Sequence, residues 1–167
     1  MIQEVQRNYL EINSIRDLNK VIEPSGDCSL NLLKPINFQL NKFFYKNIGK
    51  KHKWIDRLAW TENQWIDYVS NKNVETYVFK LKTDLAGFFE LISHGEKKEV
   101  EIAYFGLLEE FQNKKLGSYL LSEAIQKSFK DNVNRVWVHT CSLDHKNALN
   151  NYIARGMKIF KTETIKI

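Results

Sequence analysis

Glu110-Phe111-Gln112-Asn113-Lys114-Lys115-Leu116-Gly117 stands between a strand-like run, Val100 to Leu107, and a stretch in which Leu116, Leu120, Ala124, Ile125 and Phe129 recur at helical intervals. A strand that hands over to a helix through such a loop leaves backbone N–H groups unpaired at the positive end of the helix dipole, and together these form an anion site. Lys114 and Lys115 add charge, and Gly117 lets the backbone approach a ligand with no Cβ in the way. A solvated loop whose lysines serve only solubility would look the same. Both the P-loop pattern and the dinucleotide-binding GxGxxG are absent, which argues against an NTPase or a dinucleotide enzyme.

Working outward, Thr76 to Leu81 and Ala86 to Ile92 are aromatic and β-branched runs separated by Lys82-Thr83-Asp84, and with Val100 to Leu107 they predict an antiparallel meander. Arg135 to Thr140 returns to strand chemistry after the helix, so the loop belongs to a strand-helix-strand crossover. Asn147 to Arg155 reads as a helix closed by Gly156, and Met157 to Ile167 as a final strand. Toward the N-terminus, Glu4 to Ile12 alternates as a strand, and Phe38, Leu40, Phe43, Phe44 and Ile48 define a helix ahead of Gly49. Thr61 with Gln64 forms a capping box that starts another helix. The expected fold class is α+β, a mostly antiparallel central sheet flanked by helices.

The chain has 167 residues, 43% hydrophobic and 27% charged, which suits one compact domain over residues 1–167 and is too apolar for disorder. No apolar run approaches the roughly 20 residues of a membrane helix, and Met1 to Leu10 lacks a signal-peptide core, so a cytoplasmic location and no membrane partner are expected. Cys28 and Cys141 have no metal or disulfide spacing. A net charge of +5 and a pI near 9.1 point to an anionic partner: nucleic acid, a membrane surface or a phosphorylated cofactor.

The loop resembles the acetyl-CoA signature of the GNAT acetyltransferases, Q/R-x-x-G-x-G/A, with Gln112 first, Gly117 last and Lys115 in place of the middle glycine. Downstream, Thr140 to Met157 resembles the family's second cofactor segment, N-x-x-A-x-x-x-Y-x-x-x-G-F, with Ala148, Tyr152 and Gly156 in register. His145 takes the usual Asn slot and Met157 the Phe slot. The resemblance covers about residues 74 to 160 and implies a GNAT-type fold, with acetyl-CoA as cofactor. Lys115 must then turn its side chain away from the phosphates, or adopt a glycine-like backbone at a cost of about 1 kcal/mol.

The same resemblance implies site residues. Tyr152 matches the general acid that protonates the departing thiolate, and Glu101 the glutamate that in some relatives deprotonates the amine, often through water. Without the resemblance, Tyr152 reads as a core tyrosine and Glu101 as a solvated strand carboxylate. The N–H groups of Leu107 and Leu108 would meet the thioester carbonyl and the pantetheine arm, since the family splays its two central strands there. Gln112, Asn113, Lys114, Lys115, Leu116 and Gly117 would form the pyrophosphate cradle, with Ser118 at the helix start and Asn147 taking over from the missing asparagine. No metal is required. His139 and His145 stay outside the catalytic set, because no Ser or Cys elbow accompanies them.

The expected function is therefore transfer of an acetyl or other acyl group to a primary amine, small molecule or protein, by direct attack in a ternary complex. Two alternatives stand beside it: a cofactor-binding module without turnover, and a basic nucleic-acid-binding domain, for which only charge speaks. The Lys46 to Lys53 run would border the acceptor site, and Asp56, Glu62 or Asp67 could give it a local acidic pocket. Lys158 to Ile167, if left as a sheet edge, could pair in a homodimer.

Overall fold

The structure is a computed structural model that describes residues 1–24 and 26–167. Among these, the strands are β1 (Glu4–Ile12), β2 (Cys28–Leu32), β3 (Val74–Leu81), β4 (Asp84–His94), β5 (Glu99–Leu107), β6 (Arg135–Cys141) and β7 (Lys158–Lys166). The helices are α1 (Phe38–Gly49), α2 (Glu62–Ser70), α3 (Leu116–Ser128) and α4 (Ala148–Ala154). The strands form one sheet in the order β2-β3-β4-β5-β6-β1-β7, with every pairing antiparallel except β5 with β6. This is the expected α+β fold.

Alternation along the strands sorts side chains onto the two faces. Phe89 and Leu91 of β4, Ile102 and Leu107 of β5, and Val136 and Val138 of β6 pack on Leu120, Leu121, Ala124 and Ile125 of α3. On the other face Val78 and Phe88 meet Phe44 and Ile48 of α1, with the Phe44 and Phe88 rings stacked at 4.9 Å. The capping box is formed: the Gln64 N–H donates to Thr61 Oγ1 at 3.2 Å, and the Thr61 N–H to Gln64 Oε1 at 2.8 Å. Gly156 follows α4 with φ +109°, where a Cβ would also overlap the Asp17 carbonyl.

Under the α1/α2 layer lies a buried charged network. Glu90, with no exposed surface, accepts from Arg57 Nη1 at 2.9 Å and Tyr68 OH at 2.7 Å through Oε1, and from Asn41 Nδ2 at 2.8 Å through Oε2. The Arg57 guanidinium lies 4.1 Å from the Tyr68 ring centroid and 4.3 Å from that of Tyr104. Burial opposes the Arg57 charge, but the Glu90 carboxylate more than offsets it, so the guanidinium stays ionised. The network pins the α1–α2 connection against the sheet.

Two features lie beyond the sequence reading. β2, a short half-exposed strand with Ser29 and Asn31 between its apolar residues, pairs with β3 at one edge of the sheet. β1 does not lie at an edge: it inserts between β6 and β7, with Arg7 opposite both Cys141 and Glu163. β7 thus joins the sheet only through β1 and forms its other edge.

Candidate functional site

The parallel β5–β6 ladder pairs Glu99 with Arg135, Val100 with Val136 and Glu101 with Trp137, and then stops. Past that point Ile102 to Leu107 remains paired with β4 while β6 remains with β1, so the two strands part. A cleft of about 670 Å³ occupies the gap, lined along one side by Ile102 to Leu107.

The cleft leads to the loop before α3. Asn113 and Lys115 both take left-handed backbone conformations, φ +60° and +62°. Lys115 therefore holds the turn that glycine would give at its position. Among the described residues no intramolecular acceptor takes the N–H of Asn113, Lys114 or Lys115, and the first-turn N–H groups of α3 are open by construction. A Cβ on Gly117 would meet only Leu107 Cδ1 at 3.8 Å and Asn151 Nδ2 at 3.9 Å, so packing does not demand glycine there and the open space belongs to the cleft. Gln112, Asn113, Lys115, Gly117 and Ser118 line the cleft, as does Asn147 at the start of α4. Lys114 and Leu116 do not: Lys114 Nζ lies 5.8 Å from the Phe111 ring centroid, and Leu116 is buried in the core.

Leu107 and Leu108 also separate. The Leu108 N–H donates to the Ala86 carbonyl at 2.8 Å and is not free for a ligand, which corrects the expectation for that amide. Consecutive amides of an extended strand face opposite sides, so the Leu107 amide turns toward the cleft, where its carbonyl accepts from Gln112 Nε2 at 3.1 Å. Asn151, which sequence analysis did not single out, lines the cleft and donates to the Gly117 carbonyl at 3.2 Å. It is the helical neighbour of Asn147 at i+4, a spacing that could have flagged it.

Tyr152 projects from α4 into the cleft wall and is only 6% exposed. Burial, with the Asp144 carboxylate adding, holds its phenol well above the ordinary tyrosine value. Glu101 stands apart from this group. It lies on the paired part of β5, outside the cleft lining, and His94 Nε2 sits 3.1 Å from its Oε1.

The far end of the cleft is built by β1, β6, β7 and the α1–α2 connection. His139, set aside at the sequence level, stands on its wall beyond the splay, its ring 5.6 Å from that of Tyr9. Water reaches it, yet protein crowds it on several sides, and this crowding together with the Arg7 charge lowers its pKa below the ordinary 6.5. Asp56 lines the same end, whereas Glu62 and Asp67 do not. His52 and Lys53 border it, and His52 Nδ1 reaches the Leu143 carbonyl at 3.1 Å across the opening. Among the described residues no helix is long and apolar enough to cross a membrane.

The sequence matches the model of the acetyltransferase (GNAT) family over residues 37–157. No curated protein matches it. Among solved structures, a GCN5-related N-acetyltransferase from Kribbella flavida is similar at 14% identity with a TM-score of 0.67, over 99% of this chain and 58% of that one. Another, from Sphaerobacter thermophilus, gives 12% and 0.70, over 97% and 51%. The chain thus spans little more than half the length of these two proteins. A Bacillus subtilis acetyltransferase in complex with CoA gives 21% identity and a TM-score of 0.59, over 81% of this chain and 79% of that one. At these identities the structures speak for the fold alone, while the family model spans most of the chain, from α1 to the residue before β7, and with the splayed strands and the loop before α3 it leads to one assignment: the chain belongs to the GNAT acetyltransferase family.

Proposed function

We propose that residues 1–167 act as one N-acetyltransferase domain that moves an acetyl group from acetyl-CoA to a primary amine by direct attack in a ternary complex. The observation that carries this reading is the end of the β5–β6 ladder at Glu101 and Trp137, which opens a cleft onto the loop at Asn113 and Lys115 and the open first turn of α3 at Gly117 and Ser118. The amides there, with the α3 dipole behind them, suit a pyrophosphate. Gln112, Lys115, Gly117, Ser118, Asn147 and Asn151 form the rest of that end. The Leu107 amide faces the cleft as an extended arm would require, pairing in the manner of an added strand.

Acetyl-CoA supplies an activated thioester carbonyl. The chain's part is to align it, exclude water and move protons. Tyr152, kept protonated by its surroundings, is suited to give a proton to sulfur. A CoA-binding module without turnover fits less well: the loop keeps its turn at Lys115 despite the lost glycine, and Tyr152 is at the cleft.

Thermal unfolding with and without acetyl-CoA tests the reading. At a hundredfold excess over Kd the gain is about 2.7 kcal/mol. For a domain of this size that amounts to a rise in Tm of about 5–10 °C. Gly117→Glu, whose Cβ has room but whose carboxylate would enter the cradle, should fold normally and lose the shift. No shift of the unmodified protein at millimolar acetyl-CoA would sink the proposal.

A further inference from the structure

Building on the acetyltransferase reading, we infer that the acceptor is an amino acid or short amino-carboxylate, its carboxylate held by Arg7 and its amine deprotonated by His139. Arg7 lies on β1 and faces the cleft. Its Nε is buried without any hydrogen-bond partner. Its one ion-pair neighbour, Glu163 Oε1, is 3.9 Å from Nη1 and already accepts from Tyr9 OH at 2.6 Å, while the other Glu163 oxygen lies 3.4 Å from Lys161 Nζ. A guanidinium offers five donors in a fork that fits a carboxylate. The buried Nε offers a ligand no surface, so a carboxylate would be held by the Nη donors of a side chain that is 28% exposed and keeps Glu163 only at 3.9 Å.

Spacing sets the size of the ligand. Arg7 is opposite Cys141 and Tyr9 is opposite His139 in the β1–β6 ladder, so Arg7 and His139 are diagonal neighbours on one face. Such positions lie roughly 7–8 Å apart at the backbone, which leaves only a few bonds between a carboxylate on one side chain and an amine on the other. Asp56 faces them from the α1–α2 connection and suits the ammonium on arrival. The other carboxylate of the wall, Asp144, is taken by Thr140 Oγ1 and the Cys141 N–H. Trp54, Ile55 and Ile165 make the surroundings apolar. With Glu163 and Asp56 close by, one negative charge fits better than the two of a phosphate.

His139 takes one proton from the ammonium, and the amine nitrogen then attacks the thioester carbonyl carbon, so that a C–N bond forms and the C–S bond breaks. Tyr152 protonates the sulfur and recovers a proton shed by the nitrogen. The sum is ammonium plus thioester giving amide, thiol and one proton released from His139. Burial lowers its pKa most, and four groups act beside it: Arg7 on β1 lowers it further, while Glu101 on β5, Asp144 after β6 and Asp56 on the α1–α2 connection raise it. His139 is therefore neutral at pH 7, and kcat with both substrates saturating should fall on the acid side with a midpoint below 6.5. His139→Gln should remove that limb and lower kcat by about 100-fold.

The deciding experiment compares phenylalanine with 2-phenylethylamine and O-phosphoethanolamine as acceptors, following thiol release from acetyl-CoA. We expect kcat/KM for phenylalanine to exceed that for 2-phenylethylamine by 100-fold or more, and Arg7→Met to erase the preference through the KM for phenylalanine. Calorimetric binding of N-acetylphenylalanine against N-(2-phenylethyl)acetamide, without CoA, reads the Arg7 site independently of the thermal shift that tests the acetyl-CoA reading. Equal use or equal binding of the paired compounds by the unmodified protein overturns the inference even if acetyl-CoA binds, and so does a preference for O-phosphoethanolamine. Because these comparisons use the unmodified protein, they hold even if Arg7→Met fails to fold.

Discussion

Tyr152→Phe is expected to lower kcat by about 10²- to 10³-fold while leaving the acetyl-CoA thermal shift intact. The phenol is buried in the cleft wall and raised well above its ordinary pKa by burial and by Asp144, so it is a proton donor across the working pH range. A thiolate with a free pKa near about 8.5 leaves without help more readily than an alkoxide would, which sets the ceiling on the loss. The ring packs 6.4 Å from Phe105 and survives the change, so stability should move by less than about 1 kcal/mol. Steady-state kinetics beside a melting curve checks both statements. An unchanged kcat would assign the leaving-group proton to another donor and reduce Tyr152 to a packing residue.

Glu90→Ala is expected to cost about 3–5 kcal/mol, the usual result of stranding one member of a buried ion pair. Glu90 has no exposed surface, and its removal leaves the Arg57 guanidinium, 6% exposed among aromatic rings, without a counter-charge, strips Tyr68 of its acceptor and leaves Asn41 Nδ2 with Thr76 Oγ1 alone. At roughly 2–4 °C per kcal/mol, the midpoint should drop by about 6–20 °C. The double variant Arg57→Met, Glu90→Leu should recover a large part of that loss, since matched apolar groups remove the uncompensated charge. A Glu90→Ala protein that melts within 2 °C of the original would refute the assignment. Because Asp56 neighbours Arg57 in sequence and Tyr104 stacks on it, the single variant should also damage the acceptor end of the cleft.

Most elements could be read from the chain because they carry strong local signals: aromatic and β-branched runs on either side of Lys82-Thr83-Asp84, the Thr61 capping box, and the glycine after α4. β2 is harder to read, since its apolar and polar alternation runs for only five residues. The cofactor end of the cleft is local in sequence, a loop and the helix it starts, so its residues announce themselves together. The acceptor end is assembled from β1, the α1–α2 connection, β6 and β7, and no pattern within any one of them reveals that Arg7, Asp56 and His139 share a wall. Glu101 shows the converse. Its place on β5 was right, but the ladder remains closed at its level and His94 occupies its carboxylate, facts that depend on pairing rather than on spacing.

The insertion of β1 between β6 and β7 also bears on how the molecule is made. Residues 4–12 cannot find either neighbour until residues 135–141 and 158–166 have been synthesised. Contacts of such sequence separation close late and slowly, so the amino-terminal segment should wait on the ribosome as an unpaired strand while the meander and its helices gather. The wall carrying Arg7 would then be among the last parts to form, and an acceptor pocket finished in that order would exist only on chains translated through β7.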